Sequence, residues 1–412
     1  LLAGSDPSSL ASTITDEHIG SAILIGNWNT GADTVKTATA QLQGYAPAGN
    51  RLIIATDQEG GQVQHLTGTG FDTMPSAVEQ GTMSADALRQ SAGTWGSQLA
   101  AAGINVDLAP VLGTVVGDRA SNAPIGALDR DFGLDAAGNA EHGIAVIEGL
   151  RDAQVGAAVK HYPGLGAVSG NTDFTTEGIL DTTTTLGGAE AGAFDQAITK
   201  TDPAMVMMSL ATYQSIDPNN PAVFSSTIID GHIRNALKYT GVVISDSMSA
   251  EALSSYDVSQ LGVKLVEAGG DMSCIGQTDY VKPIVDGLNE RAKSDPAFAS
   301  KVTAAATRVM TLKIKMGLAC PFILALVRMN ADSRSSSPAL VQMHTSPRTN
   351  RQSSYEYRPC LPMYCTTPSG TRYQTGSSCS ARRRTSVEEM AKAGISSVST
   401  FPSGKVTPSG LE

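Results

Sequence analysis

The strongest constraint on this chain is a regular alternation of short apolar runs and helical segments over its first 318 residues. The apolar runs are SAILIGN (21–27), RLIIATD (51–57), INVDLAPV (104–111), VGAAVKHY (155–162), AMVMMSL (204–210), GVVISDS (241–247) and GGDMSCIG (269–276). Helical patterns lie between them, for example over 85–103 and 186–200. The runs are mostly apolar rather than alternating, which is typical of strands buried on both faces of a sheet. The repetition predicts parallel α/β units.

A (β/α)8 TIM barrel fits this repetition best, with a doubly wound sheet as the second choice. The pattern supplies seven strands rather than eight, and the missing strand should precede SAILIGN. The chain begins too late to hold that strand. We therefore expect residues 1–318 to form a barrel that lacks its first strand.

Residues 319–412 differ sharply from the rest of the chain. They carry a net charge of +6, against −16 for residues 1–318, and they contain 17 serines and four of the five cysteines. Such a composition buries too little apolar surface to offset chain entropy, so we expect a low-complexity, disordered tail. A disulfide or zinc module is the alternative, although the tail has no CxxC pair and no matching histidine partner.

Several classes of function are disfavoured by composition and motif. The net charge of −10 argues against a nucleic-acid partner. No apolar run is long enough to span a membrane. Phosphate-binding loops and metal-ligand histidine spacings are both missing, so we expect neither a cofactor nor a metal. Because the sequence starts at Leu1 and shows no signal peptide, we expect its original N-terminus to be missing, and we favour a secreted or cell-envelope location over a cytoplasmic one. The oligomeric state is not indicated.

Polar side chains collect where the predicted strands end, which is where barrel enzymes carry their chemistry. They are Asp57 and Glu59 after RLIIAT, Lys160 and His161 after GAAV, Asp246 after GVVIS, and Arg130 in the segment after INVDLAPV. Carboxylates accept hydrogen bonds from sugar hydroxyls, and Lys and Arg donate to hydroxyl oxygens. A small carbohydrate is therefore the expected ligand. Two carboxylates that flank an anomeric carbon are the minimum for retaining glycoside hydrolysis.

The motifs also match a known family. Residues 20–318 resemble glycoside hydrolase family 3, in particular its single-domain β-N-acetylglucosaminidases. The matching strings are ATDQEGGQVQHL (55–66), DLAPVLG (107–113), IGALDRDFG (125–133), AAVKHYPGLG (157–166), GVVISDSMSAEAL (241–253), AGGDM (268–272) and RVMTLKIKMGL (308–318). Together they cover about three quarters of the chain in the order typical of the family.

The resemblance implies a role for each matching residue. Asp246 matches the nucleophile that forms the glycosyl-enzyme intermediate. Asp57, Arg130, Lys160 and His161 match residues that bind sugar hydroxyls, and the residue at position 59 shapes their loop. Structural alternatives remain open: a helix cap for Asp246, a turn for Asp57, and buried ion pairs for the three basic residues. Asp107 is expected to be structural.

One segment departs from the family pattern. The family reads KHFPGHG and then an Asp-x-His dyad whose histidine, thirteen residues after the lysine, is the acid/base. Here the dyad positions read Asn171-Thr172-Asp173, and no histidine lies within 162–231. Asp173 is either the acid/base, with a raised pKa, or a turn residue in a crippled enzyme. Glu177 is the second candidate for the acid.

The resemblance favours a retaining exo-β-N-acetylglucosaminidase, because the two-domain β-glucosidases of the family take their acid/base from a second domain that residues 319–412 cannot supply. Its expected substrate is a terminal N-acetylglucosamine of a cell-wall fragment or a chitooligosaccharide. A β-glucosidase, an N-acetylglucosamine phosphorylase and a non-catalytic or truncated sugar-binding remnant remain the alternatives.

Overall fold

The computed structural model describes residues 6–26 and 28–321 in full, together with the backbone of Leu2–Ala3, Met363–Thr366 and Arg372–Thr375. The last two segments pair as antiparallel strands. For the remainder of 322–412, the expected disorder and the alternative disulfide or zinc module lie outside the described residues.

Eight parallel strands form one sheet in which every strand pairs with the next along the chain. They are β1 (Leu2–Ala3), β2 (Ser21–Ile25), β3 (Ile53–Thr56), β4 (Val106–Asp107), β5 (Gly156–Tyr162), β6 (Met205–Met208), β7 (Val242–Ser247) and β8 (Met272–Cys274). The result is a curled parallel sheet; among the described residues, no pairing joins β8 to β1. All seven apolar runs identified in the sequence contain one of these strands.

The prediction that the first strand is missing is wrong. Leu2 and Ala3 pair in parallel with Leu24 and Ile25, which places a two-residue strand ahead of β2. Hydrophobic periodicity could not reveal it, because two residues contain no pattern. Their pairing depends on the exposed edge of β2, which only the assembled sheet supplies.

Burial explains why the strands read as apolar runs. Every residue of β3 and β6 is buried. One face of the sheet packs on a cluster inside the curl that includes Ile53, Val106 and Met205. The other face packs on the surrounding helices through a larger cluster. Strands covered on both faces need apolar side chains in both directions, so their sequence cannot alternate.

The helices cover the outer face of the sheet. They are α1 (Ala11–Asp16), α2 (Ala32–Tyr45), α3 (Ala77–Gln80), α4 (Ala85–Ala101), α5 (Ala136–Asp152), α6 (Ala189–Thr201), α7 (Val258–Ala268), α8 (Val281–Ser294) and α9 (Pro296–Lys315). Side chains of Ser84, Asp135, Asp257 and Asp295 cap four of them. Thr227–Ala236 forms a helix with i→i+5 hydrogen bonds. None of the helices in the described part of the chain is long and apolar enough to cross a membrane.

Small elements decorate the connections between strands and helices. Single 3₁₀ turns span Pro7–Leu10, Arg119–Ser121, Gly126–Leu128, Ala222–Phe224, Glu251–Leu253 and Thr278–Tyr280. A hairpin of Gln58–Gly60 and Val63–Gln64 follows β3. Leu180–Asp181, Thr212–Tyr213 and Asp217–Pro221 form a three-stranded sheet after β5 and β6. These additions shape the carboxyl end of the main sheet.

At the opposite end of the sheet, α9 and the residues that follow it close the space inside the curl. Leu312 and Leu318 join the cluster inside the curl, and the Leu318 carbonyl accepts a hydrogen bond from the Arg51 amide. The contacts continue to Cys320, whose amide donates to the Gly49 carbonyl. The carboxyl end of the sheet, where the strands finish, is therefore the end that α9 leaves open.

Lys313 of α9 is a buried cation in this closed end, and its burial gives a testable pH dependence. Its ammonium donates to the Asn50 amide oxygen at 2.9 Å, and within the fully described ranges burial alone, with no carboxylate, shifts its pKa. Burial lowers its pKa from 10.5 to about 8. The folded state therefore holds a costly buried charge below pH 8, and this cost is relieved as the pH rises from 8 towards 10.5.

We expect Lys313→Met to raise the free energy of unfolding at pH 7 by up to about 3 kcal/mol. The advantage over the parent should shrink between pH 8 and 10, because the parent then loses its buried charge. Urea unfolding of both proteins at pH 7 and pH 9.5 measures the difference between their free energies of unfolding. The other titrating groups are the same in both proteins, so their contributions cancel in this difference. A variant that is less stable at both pH values would show that the Asn50 hydrogen bond outweighs the burial cost.

Candidate active site

The carboxyl ends of five strands bring together residues that are far apart in the sequence. Asp57 directly follows β3, Asp107 ends β4, Lys160 and His161 lie in β5, Asp246 lies in β7, and Cys274 ends β8. Arg130 and Asp173 come from the long connections that follow β4 and β5. The parallel sheet explains the convergence, since the carboxyl ends of its strands all meet at one edge.

Two buried basic side chains and two carboxylates form the rigid part of this site. The Lys160 ammonium is 1% exposed and contacts Asp57 as well as Glu59, the latter at 2.6 Å. The Arg130 guanidinium binds Glu59 through two hydrogen bonds of 2.8 Å and donates a third to the Pro124 carbonyl. The structure thus brings these predicted residues together, in an ion-paired network.

Charge pairing dominates the electrostatics of this network. Burial disfavours the charge of Glu59, but Arg130 and Lys160 together outweigh burial and hold its pKa below the usual range. Burial likewise opposes the Lys160 charge, yet Asp57 and Glu59 raise its pKa above the ordinary value. Every member with a shifted pKa therefore stays charged at neutral pH, and the network presents fixed donors and acceptors.

His161 is a buried neutral imidazole with unused hydrogen-bonding capacity. Burial, aided by Arg130 and Lys160, lowers its pKa well below 6.5. Its Nε2 lies 3.8 Å from Asp246 Oδ2, which is too long for a hydrogen bond, and a neutral ring makes no ion pair there. Within the fully described ranges, its Nδ1 has no hydrogen-bond partner. A buried polar atom without a partner is costly unless a ligand satisfies it.

Asp246 stands at the end of β7 with its side chain 19% exposed. Its Oδ1 accepts a hydrogen bond of 2.8 Å from the Ser247 amide. The alternative of a helix cap is not seen, because the next helical turn begins after Ala250. Burial and the negative charge of Asp173 raise the pKa of Asp246 to about 7.

Asp173 lies on a short loop with a closed neck. The amides of Ser169 and Gly170 both donate to the Gly178 carbonyl, at 3.0 and 2.9 Å. A Cβ at Gly170 would lie 2.0 Å from the Glu177 carbonyl oxygen, so only glycine fits at this neck.

Two further sets of hydrogen bonds fix the position of Asp173 within the loop. The Asn171 side-chain oxygen accepts the Asp173 amide at 3.0 Å, an Asx-turn that an asparagine forms readily. The Thr172 and Asp173 carbonyls then accept the amides of Ala252 and Glu251, at 3.0 and 3.2 Å, in the segment that follows β7. The loop that carries Asp173 is therefore held to the connection that follows β7, the strand that carries Asp246.

The two aspartates interact electrostatically. The carboxyl of Asp173 keeps an exposed face, yet the protein atoms around it raise its pKa, while Arg130 and Lys160 oppose that rise. The charge of each aspartate disfavours the charge of the other, so the two carboxyls titrate as a pair that holds one proton over an intermediate pH range. One protonated and one ionised carboxyl are the two states that a retaining glycosidase needs.

Two other carboxylates that the sequence analysis singled out, Glu177 and Asp107, do not belong to this pair. The Glu177 side chain is exposed, and its amide turns back to Thr175 Oγ1 at 2.9 Å. Asp107 is buried and accepts the Gln58 amide at 3.0 Å, and burial raises its pKa well above the usual range. Its hydrogen bond ties β4 to the loop that carries Asp57.

Sequence reasoning missed two residues next to the site. Glu190 is mostly buried in the first turn of α6, where both carboxylate oxygens accept the Thr114 amide, at 2.9 and 3.0 Å. Burial raises its pKa to about 7. Its carboxylate occupies the space beside Gly164, four residues after Lys160. Burial also raises the pKa of the Cys274 thiol, to about 12, with Asp246 and Asp57 adding to the shift. Neither residue carries a sequence signal, since only the fold brings it to the site.

The geometry of the site does not favour a metal ion. Over residues 6–26 and 28–321, no group of three or more His, Cys, Asp or Glu side chains is arranged to hold a metal ion. Lys160 and Arg130 occupy the space between the carboxylates Asp57 and Glu59 that a cation would otherwise need.

Comparison with known proteins identifies similar chains. A family model described as the glycosyl hydrolase family 3 N-terminal domain matches residues 3–312. Beta-hexosaminidase LpqI of Mycobacterium tuberculosis is 30% identical over 319 residues, covering 75% of this chain and 79% of that protein. The crystal structure of a beta-N-acetylhexosaminidase from Beutenbergia cavernae has a TM-score of 0.72 at 37% identity, covering 76% of this chain and 93% of that one. A family 3 beta-N-acetylglucosaminidase from Paenibacillus has a TM-score of 0.65 at 27% identity, covering 77% and 60%.

Proposed function

This chain belongs to glycoside hydrolase family 3, and we propose that it is a retaining exo-β-N-acetylglucosaminidase with Asp246 as nucleophile and Asp173 as acid/base. The substrate class is a terminal, non-reducing β-N-acetylglucosamine of a cell-wall fragment or chitooligosaccharide. The observation that carries the mechanism is the pair of carboxyls with raised pKa values, one at the end of β7 and one on a loop that is hydrogen-bonded to the segment after β7.

The reaction proceeds in two displacements. In the first, a carboxylate oxygen of Asp246 attacks the anomeric carbon, the glycosidic C–O bond breaks, and the Asp173 proton passes to the leaving oxygen. In the second, water attacks the anomeric carbon and gives a proton to the Asp173 carboxylate. The bond to Asp246 then breaks and releases the sugar with its original β configuration.

The rigid network binds the sugar in this proposal. Asp57 accepts hydrogen bonds from sugar hydroxyls, and Lys160 and Arg130 donate to their oxygens. His161 uses Nε2, the ring nitrogen on the side of Asp246, for a further hydroxyl. Because the network is already assembled without substrate, little free energy is lost in organising it when the sugar binds.

Hydrolysis is favoured over phosphorolysis by the charges around the anomeric position. A phosphate nucleophile needs an unpaired cation, but Lys160 and Arg130 are both paired with carboxylates. The Asp173 carboxylate would also repel an incoming anion during the second displacement. Water carries no such cost.

We also infer that the curled sheet closes as a (β/α)8 barrel. The support is its eight parallel strands in chain order, with helices outside and polar residues at the carboxyl ends. A closed barrel would remove the two open strand edges that a half-barrel leaves.

The proposal is tested by the activity of the unaltered chain. We expect release of N-acetylglucosamine from N,N′-diacetylchitobiose and of 4-nitrophenol from the β-N-acetylglucosaminide, with the β anomer as the first product in NMR spectra. The 4-nitrophenyl β-glucoside should be a much poorer substrate. A folded protein that binds N-acetylglucosamine without turning over either substrate would overturn the enzyme and leave a sugar-binding remnant.

A further inference from the structure

We propose that Phe174 forms the platform on which the leaving-group sugar ring stacks, so that the enzyme prefers saccharide leaving groups to small ones. The inference rests on the proposed function, because it takes Asp173 as the residue that protonates the leaving oxygen. It assigns a residue to the side of the site that holds the leaving group.

The starting observation is the exposure of three large apolar side chains on two connected segments. Within the fully described ranges, the exposed large hydrophobic residues are Val116, Phe174 and Leu180, at 63%, 80% and 53%. All three lie on the connections after β4 and β5, which are joined by the hydrogen bond from the Val116 amide to the Gly166 carbonyl. Phe174 is the most exposed of them and the one aromatic ring. An exposed aromatic side chain is costly in water and is typical of a binding surface.

The position of Phe174 follows from the mechanism. An acid that protonates the glycosidic oxygen must contact that oxygen, which is bonded directly to the leaving sugar. Consecutive Cα atoms are about 3.8 Å apart, so the aromatic side chain of the residue after Asp173 is within reach of the leaving group. The C–H face of a pyranose carries partial positive charge and packs on the negative face of an aromatic ring.

Backbone hydrogen bonds keep this residue in place. The amides of Phe174 and Thr175 both donate to the Asn171 carbonyl, at 3.0 and 3.1 Å. The preceding residues, Thr172 and Asp173, are bound to the segment after β7 through their carbonyls. Phe174 is thus presented at the tip of a fastened turn, where stacking would lose little backbone freedom.

The test compares two substrates that share the same sugar and differ in the leaving group. N,N′-diacetylchitobiose loses a sugar ring, whereas N-acetyl-β-glucosaminyl fluoride loses an ion that has no face to stack. We expect Phe174→Ala to lower kcat/KM for the disaccharide about tenfold and to leave the fluoride within about twofold. Phe174→Trp should retain the disaccharide activity. Leu180→Ala is the matched control, since Leu180 is exposed but pairs with Thr212 in another strand.

The outcomes separate this inference from the proposed function. Equal losses on both substrates, or no loss on either, would overturn the stacking platform while leaving the enzyme intact. A loss in Leu180→Ala equal to that in Phe174→Ala would also overturn it. An unaltered chain that cleaves neither substrate contradicts the proposed function itself.

Discussion

Asp246→Ala is expected to lower kcat for 4-nitrophenyl N-acetyl-β-glucosaminide by about 10⁴-fold or more, because the first displacement then has no protein nucleophile. KM should change little, since the sugar-binding network of Asp57, Arg130 and Lys160 remains assembled. Steady-state kinetics beside the parent measures both values. The small cavity left by the carboxylate also admits an external anion.

Azide rescue tests whether Asp246 acts as the nucleophile rather than only supporting the fold. In Asp246→Ala, azide takes the place of the nucleophile and should yield the α-glycosyl azide, with inversion. A 5-fluoro analogue of the substrate should label Asp246 in the parent, as seen by mass spectrometry of the peptide. The control is Asp107→Asn, which alters a buried carboxyl at the same edge of the sheet, hydrogen-bonded to the Gln58 amide, and should retain most of the activity. Equal losses in the two variants, or label on another residue, would contradict the assignment.

Asp173→Asn is expected to reduce kcat/KM for N,N′-diacetylchitobiose by about 10²–10⁴-fold, because a sugar leaving group needs a proton. The 4-nitrophenyl substrate should lose far less in the first displacement, as its leaving group is stable without protonation. The intermediate should then accumulate, since no base activates water. Azide attacks this intermediate without a base and should give the β-glycosyl azide, the opposite anomer to that from Asp246→Ala.

The pH dependence of Asp173→Asn follows from the shared proton. In the parent, the two carboxyls share one proton, which the pair loses near pH 7, and the active form is the one in which that proton lies on Asp173. The basic limb of kcat/KM should therefore fall near pH 7. In the variant that limb should disappear and the pKa of Asp246 should drop below about 7, because the neighbouring charge is gone. Unchanged pH profiles would contradict the coupling.

Two further variants separate Asp173 from its neighbours. Glu177→Gln is the matched control, since it removes a carboxylate from the same loop at an exposed position, and it should keep full activity. Asn171→Asp with Asp173→His rebuilds the dyad of the family and should recover activity that Asp173→Asn loses. Loss of activity in Glu177→Gln instead would move the acid to that residue.

Much of the fold was determined by the sequence itself. Apolar runs at β3, β5, β6 and β7 predict buried parallel strands, because a strand covered on both faces has no polar side. The polar residues that follow these runs mark the carboxyl edge as the site. A two-residue strand such as β1 lies beyond this reasoning, since its pairing depends on a neighbour rather than on its own residues.

The sequence also indicated which residues form the candidate site, since chemistry at strand ends and the family motifs both pointed to Asp57, Lys160 and Asp246. Only the tertiary structure decided the pKa values of Lys160, His161 and Asp246. The raised pKa of Asp246 and the neutral state of His161 come from burial and from charges many residues away in the chain. The hydrogen bond from the Thr114 amide to the Glu190 carboxylate likewise joins residues that are far apart in the sequence. Residue types are local properties of a sequence, whereas desolvation and Coulomb interactions depend on which atoms the fold brings together.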